Sequence, residues 1–350
     1  MSQRTEMLPF LARFRKPLLA LTLTGLLGSA LASYLAADRL LVCRGRKLQP
    51  HHHATLGESH EFGLKIIPFT VAAPDGSTLA AHYITAAKKP GTATRFRRLQ
   101  QHIRATGEFP PPSSDENRGT ILMFHGRGAI KEDQLPIAER LCAAGFSCIT
   151  FDARSSGQST GKFATYGHLE KHDATAILNT ATAKFGLHNL APFAAFGISR
   201  GGAEALQTAA IDPRLAAVVT VSTFSDLGQL MHEVAAHRLT HLARPLVPLV
   251  GLWCQARANF NPASICPLDS VRSLKCPAMF IHGSEDTYIA PHHSQALYDA
   301  LPNPSKQLEL IPGATHTDAL AIGSDSLYHD ITAFLYHQLR LAPSPPPAPQ

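Results

Sequence analysis

The stretch Ala195-Phe196-Gly197-Ile198-Ser199-Arg200-Gly201-Gly202 constrains the chain more than any other. It follows the apolar run 191–196 and leads into Ala203-Glu204-Ala205-Leu206, which reads as a helix start. A buried strand, then Gly-x-Ser-x-Gly, then a helix requires a turn too tight for side chains beside the serine. Gly197 and Gly201 remove them. The turn lifts the Ser199 hydroxyl above the C-terminal edge of a sheet, beside the free N–H groups and positive end of the next helix. The pentapeptide alone is a weak signal, since glycine and serine are common in ordinary turns. The flanking strand and helix make Ser199 a candidate nucleophile.

Elsewhere the apolar pattern keeps two periods. Residues 64–71 and 79–84 flank the turn Pro74-Asp75-Gly76-Ser77, which predicts an antiparallel hairpin. Residues 88–119 are basic and then proline-rich; they predict a surface insertion, helical over 97–105 and otherwise mobile. From residue 120 onward, strands are expected at 120–124, 147–151, 191–196, 216–221, 278–281 and 308–311. Helices are expected at 135–144, 169–185, 200–210, 294–301 and 326–339. Strands alternating with helices imply right-handed crossovers, an α/β class and a mostly parallel sheet covered on both faces. The proline-rich tail 341–350 is expected to be disordered.

Residues 17–37 carry no charged side chain, between Arg13, Arg15 and Lys16 on one side and Asp38 and Arg39 on the other. That length spans a bilayer, although the segment is rich in Ala, Gly, Ser and Thr. An uncleaved anchor is the favoured reading, with a signal peptide cut after Ala30-Leu31-Ala32 as the alternative. The basic tail 1–16 would stay inside, placing the residues beyond the linker 38–63 outside the cytoplasm. Arg44, Arg46 and Lys47 weaken that preference. The formal net charge of +6 is concentrated near the N-terminus and in 88–104. No basic stripe interleaved with aromatics is present, which argues against nucleic acid and fits an anionic membrane surface. The cysteines show neither Cys-x-x-Cys nor zinc-ligand spacing. Cys142 and Cys148 fall in apolar patterns as buried thiols, while Cys254, Cys266 and Cys276 could form a disulfide if exported.

A serine hydroxyl attacks only when a base takes its proton, and the base needs an acceptor to fix its tautomer. Asp286 lies just after strand 278–281 and His316 just after strand 308–311. In a parallel sheet both would join Ser199 at the C-terminal strand ends. Glu285 and Asp318 compete with Asp286 as the acid; His51, His52, His53, His292 and His293 are assigned to the surface or to satisfied polar groups. Two backbone N–H groups are needed where the substrate carbonyl becomes an oxyanion. Arg200 supplies one, and Arg127 in His125-Gly126-Arg127-Gly128 is the choice for the other. The two guanidinium groups either favour an anionic substrate at the pocket mouth or bond to solvent and carboxylates.

Five motifs then stand in order: His125-Gly126-x-Gly128, Asp152-x-Arg154-x-x-Gly157-x-Ser159, Gly197-x-Ser199-x-Gly201-Gly202, His282-Gly283-x-x-Asp286 and Gly313-x-x-His316. Together they resemble the α/β-hydrolase superfamily, and within it serine aminopeptidase-like, prolyl-oligopeptidase-like and membrane-anchored BEM46-type hydrolases. The resemblance implies an α/β-hydrolase domain over 64–340, a sheet of about eight strands, and a small cap over the active site at 222–275. Within the cap, 227–243 is expected to be helical. Leu246, Val247, Leu249, Val250, Leu252 and Trp253 would form either an apolar lid facing an acyl chain or a helix packed on the core. The resemblance also implies a serine hydrolase with nucleophile Ser199, base His316, orienting acid Asp286 and oxyanion donors Arg127 and Arg200. The expected substrate is a small acyl compound, a carboxylic ester before a thioester or amide, with no metal or organic cofactor. A non-catalytic membrane-tethered binding protein and an acyltransferase using the same triad are the alternatives. Arg154 departs from the family's Arg-Gly-x-Gly, and that loop, with Asp152 and Arg154, is read as bracing the sheet.

Overall fold

Neighbouring residues along the central strands face opposite sides of the sheet, and both sides are packed. The computed structural model describes residues 7–88, 94–113, 116–239 and 241–342, with backbone alone at 7–21, 238–239 and 241–242. Its strands are β1 Leu64–Ala72, β2 Thr78–Ala86, β3 Thr120–Phe124, β4 Ser147–Phe151, β5 Phe193–Ile198, β6 Leu215–Val221, β7 Ala278–Gly283 and β8 Gln307–Ile311. They form one eight-stranded sheet in the order β1-β2-β4-β3-β5-β6-β7-β8. β2 is antiparallel to β1 and to β4, and every later pairing is parallel. This is the α/β-hydrolase fold.

The chain divides into two compact units. The larger, Val42–Leu230 with Pro262–Gln350, holds the sheet. On one face Ile121, Met123, Phe196, Val219 and Ile281 pack with Leu99, Leu141 and Leu335 from the helices Thr94–Thr106, Leu135–Ala143 and Ala319–Leu341. On the other face Leu122, Phe124, Ile149, Ala195 and Phe280 pack with Ile177, Leu206 and Leu297 from Glu170–Phe185, Arg200–Ile211 and His292–Ala300. Such two-sided burial explains why the parallel strands read as unbroken apolar runs rather than alternating ones.

The insertion 88–119 carries its expected helix, as Thr94–Thr106, but the helix is not a surface element: it is amphipathic and buries Phe96, Leu99 and Ile103 at three-to-four spacing. Glu139 of the helix Leu135–Ala143 accepts from both Arg95 and the Phe96 amide, each at 3.2 Å. Residues 89–93 and 114–115 of the insertion, and 343–350 of the expected tail, lie outside the described residues. The Asp152–Ser159 loop braces the sheet edge as read. The buried Asp152 carboxylate accepts from Lys131 Nζ and from the Lys131 and Gln158 amides. Arg154 binds Asp173 through two nitrogens and reaches Asp75 in the opening hairpin at 2.8 Å.

The smaller unit combines Met1–Leu41 with Met231–Asn261. A single helix over 227–243 does not form: the α-helix Leu227–Val234 gives way to a π-helical turn Ala235–Leu239, then a 3₁₀ segment His241–Leu246. Pro245 lacks the N–H that an α-helix would need there. A fresh helix, Val247–Ala258, starts with Pro248 in its first turn, where the missing donor is harmless. It lies along the helix Met7–Leu41: the Trp253 indole N–H donates to Ser33 Oγ at 3.1 Å, and Arg257 pairs with Asp38 at 2.6 Å. Among the described residues, no helix is long and apolar enough to cross a membrane; the side chains of 17–21, where the expected span begins, are outside that set. Cys254, Cys266 and Cys276 carry free thiols in this structure.

Candidate active site

Ser199 stands between β5 and the helix Arg200–Ile211, with φ 55° and ψ −117°. A non-glycine residue held there is strained, and here the strain puts its side chain at the turn's apex. The two flanking glycines have a steric reason. A β-carbon on Gly197 would collide with the Gly201 carbonyl, and one on Gly201 with the Phe124 carbonyl at the end of β3. The elbow is anchored on its far side too, by the Ser199 amide donating to Val221 O at 2.8 Å.

Ser199, His316 and Asp286 come from three separate strand ends and meet. The Ser199 hydroxyl lies 3.1 Å from His316 Nε2, and His316 Nδ1 lies 2.7 Å from Asp286 Oδ2. With Nδ1–H donating to the carboxylate, the Nε2 lone pair is left facing the serine proton, the tautomer that a general base requires. Asp286 is buried, and burial alone would push its carboxyl up. Hydrogen bonds from His282, His316 and the Ile289 amide outweigh that and hold it well below the usual carboxylate range. Oδ1 separately accepts from the Tyr288 and Ile289 amides, each at 2.9 Å. The rivals sit elsewhere: Glu285 is exposed, and Asp318 accepts from the Thr315 amide.

The loop after β3 reaches the elbow. A β-carbon built on Gly126 would stand 3.8 Å from Ser199 Cβ, so the Gly126–Arg127 backbone passes directly beside Ser199. His125 fixes this loop: Nδ1–H donates to Gly126 O at 2.8 Å, and Nε2 accepts from the Ala153 amide at 3.0 Å. Burial, helped by the Arg200 cation, pushes the His125 imidazole down to about 4, so it stays neutral in both bonds. The Arg200 amide is the first N–H of its helix and has no intrahelical acceptor.

The guanidinium groups separate. Arg200 is 1% exposed, with Nε 3.2 Å from Glu204 Oε1, so it does not reach a pocket mouth. Arg127 is exposed and its charge faces Tyr166, Cys43 and Tyr288. Of the histidines set aside, His52 and His293 are buried: His52 Nδ1 accepts from the Gln49 amide while its Nε2 lies 3.3 Å from Asp133 Oδ1, and His293 bonds Ser225.

Two contributors escaped the sequence reading. His282 Nε2 lies 2.8 Å from Ile289 O and 3.2 Å from Asp286 Oδ2, while its Nδ1 meets Ser294 Oγ at 2.6 Å. Tyr288 packs edge-on against His316, ring centres 4.9 Å apart. His282 stood in the His282-Gly283-x-x-Asp286 motif, where its spacing to Asp286 was the available signal. Tyr288 had none. A groove of about 810 Å³ at the antiparallel edge, lined by Lys65, Tyr83, Phe96 and Phe146, contains none of the triad residues.

Comparison with known proteins agrees with this architecture. The model of the serine aminopeptidase S33 family, Hydrolase_4, matches residues 115–267 and 267–318. The Bacillus subtilis protein YqkD is 25% identical over 204 residues, covering 56% of this chain and 64% of YqkD, so the chain spans just under two thirds of that relative. Protein bem46 of Schizosaccharomyces pombe is 24% identical over 225 residues, 63% of this chain and 69% of bem46. Among solved structures, the Pyrococcus furiosus esterase Pf2001 superimposes with a TM-score of 0.62 at 18% identity, covering 85% of this chain and 98% of that one. This last likeness establishes the shared fold. With more than half its length matched by one family model, and the sheet order and strand-end site described above, the chain belongs to the serine aminopeptidase S33 family of α/β-hydrolases.

Proposed function

We propose that this hydrolase cleaves a carboxylic ester through an acyl-enzyme, with Ser199 as nucleophile, His316 as base and Asp286 as orienting acid. The continuous line Ser199 Oγ–His316 Nε2 and His316 Nδ1–Asp286 Oδ2 carries the reading. Ser199 Oγ attacks the ester carbonyl carbon while its proton passes to His316 Nε2. The carbonyl electron pair moves onto oxygen, facing the Arg127 and Arg200 amides. Collapse expels the alcohol, which takes the proton back from His316. Water, deprotonated by the same nitrogen, then releases the acid and restores Ser199. A binding protein would have no use for a tautomer-locked histidine beside a strained serine. Thioesters, amides and acyl transfer would use the same residues.

A chain-length series of p-nitrophenyl esters tests this on the full chain. Turnover on at least one length that vanishes in Ser199→Ala is expected. Equal rates in the two proteins would remove Ser199 from the mechanism. Product analysis with added alcohols separates hydrolysis from transfer.

We also propose that 17–37 anchors the protein with its catalytic residues outside the cytoplasm. The uncharged run and the basic residues ahead of it support this. Retention of the full chain in carbonate-washed membranes is expected; a shortened, soluble product would point to signal cleavage instead.

A further inference from the structure

Exposed leucines gather in the smaller unit. Leu23, Leu27, Leu31 and Leu35 of the helix Met7–Leu41 recur every fourth residue and are 54–65% exposed. Leu26 beside them is 69% exposed. From the helix Val247–Ala258, Leu252 is 66% and Leu249 36% exposed. An apolar groove of about 410 Å³ joins the two helices, with Leu26, Ala30, Leu249, Leu252, Trp253 and Ala256 among its walls. A helix of a water-soluble domain turns its leucine stripe inward; this pair turns leucines from both helices outward, and a contiguous apolar face marks an interaction site.

The chemistry at one end of the pair says what covers the face. Tyr34 and Trp253 meet edge to face with centroids 5.3 Å apart, and the Arg257 guanidinium lies 4.8 Å from the Tyr34 ring centre while pairing with Asp38. Amphipathic rings and a cation on a long apolar stem, placed where a leucine face ends, are the groups that settle at a bilayer's headgroup level. In sequence, Arg39, Arg44, Arg46 and Lys47 follow immediately, a charge complementary to anionic lipid.

We propose that the helix Val247–Ala258 enters lipid together with the N-terminal helix. The protein then contacts the membrane twice: once at its N-terminus, and once through a segment inserted between β6 and β7. Leu249 and Leu252 lie among acyl chains, and Trp253 and Arg257 lie at the headgroups. This goes beyond an N-terminal tether, which requires nothing of residues 247–258.

Trp253 is the single tryptophan of the sequence, so its fluorescence reports on this helix alone. The full chain is reconstituted into vesicles of phosphatidylcholine and phosphatidylglycerol, with or without brominated acyl chains. Loss of most of the emission in the brominated vesicles is expected. The double variant Leu249→Asp/Leu252→Asp should lose that quenching while still sedimenting with vesicles through the N-terminal helix. Ile211→Asp, at a 45% exposed site in the other unit, should keep it. Unquenched Trp253 in wild-type protein that sediments with the vesicles would overturn the proposal. So would an emission shift that follows protein concentration without lipid and tracks a dimer in sedimentation, because a second copy would then cover the face. Quenching reads no turnover, so the outcome is independent of the ester hydrolysis proposed above.

Discussion

Asp286 and His316 share a 2.7 Å hydrogen bond from Nδ1 to Oδ2, and the Asp286 side chain in it is fully closed to solvent. Asp286→Asn keeps the shape of that contact but offers an amide where the imidazole N–H needs an acceptor. His316 then turns its other tautomer to Ser199, with a hydrogen instead of a lone pair. We expect kcat on the best p-nitrophenyl ester to fall by about 10⁴ with KM little changed, as loss of the tautomer-fixing acid does in serine hydrolysis generally. Steady-state kinetics with an active-site titration would check it; a loss below about tenfold would mean the aspartate has another role.

The elbow's glycines make a steric prediction. Gly201→Ala drives a methyl group into the Phe124 carbonyl, a backbone atom that no rotamer change can move. Either the β3 end shifts, taking the Gly126–Arg127 loop with it, or the elbow opens. Both outcomes lower melting temperature and activity together. Overpacking of this kind typically costs about 1–3 kcal/mol or more, readable by thermal melts. An unchanged melting temperature would show that the elbow is looser than its geometry implies.

One turn apart on the elbow helix, Arg200 and Glu204 are 1% and 0% exposed at the side chain. Removing one partner strands the other away from water. Arg200→Met is expected to destabilise the fold by roughly 3–5 kcal/mol in urea denaturation. Arg200→Met/Glu204→Leu should recover most of that loss, because an apolar pair leaves nothing to solvate. Additive losses would show that the two groups are not coupled.

Two buried imidazoles should each cost the fold stability in mild acid. Burial, with the Lys131 cation, pushes His82 down to about 4, as burial and Arg200 do for His125. Their unfolded value is 6.5, so between 6.5 and 4 the unfolded chain binds more protons than the folded one. This contribution is fully present above 6.5 and lost as pH drops towards 4. It amounts to roughly 3 kcal/mol per histidine as an order of magnitude. The depressed Asp286 and Asp75 carboxyls continue the same trend further into acid. Burial pushes the Asp173 and Glu204 carboxyls up, to about 6 and about 8, and these work in the opposite direction across the same window. The histidine share is therefore read as a difference: urea midpoints of His82→Gln should rise less steeply with pH than those of the wild-type protein, and an unchanged slope would show that this imidazole is reached by water.

What could be read from the sequence was mostly local. Residues 191–206 specify the elbow because strand, glycines and helix are adjacent in the chain. Asp286 and His316 each follow a strand, so the sheet itself delivers them. His282 was harder: its bond to Asp286 depends on how Ser294 and Ile289 close around its ring. The insertion helix misled because Arg95, Arg97, Arg98 and Arg104 dominate its composition, while Phe96, Leu99 and Ile103 carry the packing. For Arg200 the sequence leaves a pocket mouth, solvent and a carboxylate partner open, and only the packed structure selects Glu204, one helical turn on. The pairing of Met1–Leu41 with Met231–Asn261 left no local trace at all, since neither segment's pattern names the other.

That pairing imposes an order on biosynthesis. About 190 residues separate the two segments, so at translation rates of about 5–20 residues per second the leucine-faced first helix waits roughly ten to forty seconds for its companion. During that interval it is an apolar helix on a growing chain, and whatever receives it first, bilayer or chaperone, acts before the sheet is complete. The helix is thus exposed on the nascent chain while Ser199, Asp286 and His316 have yet to meet.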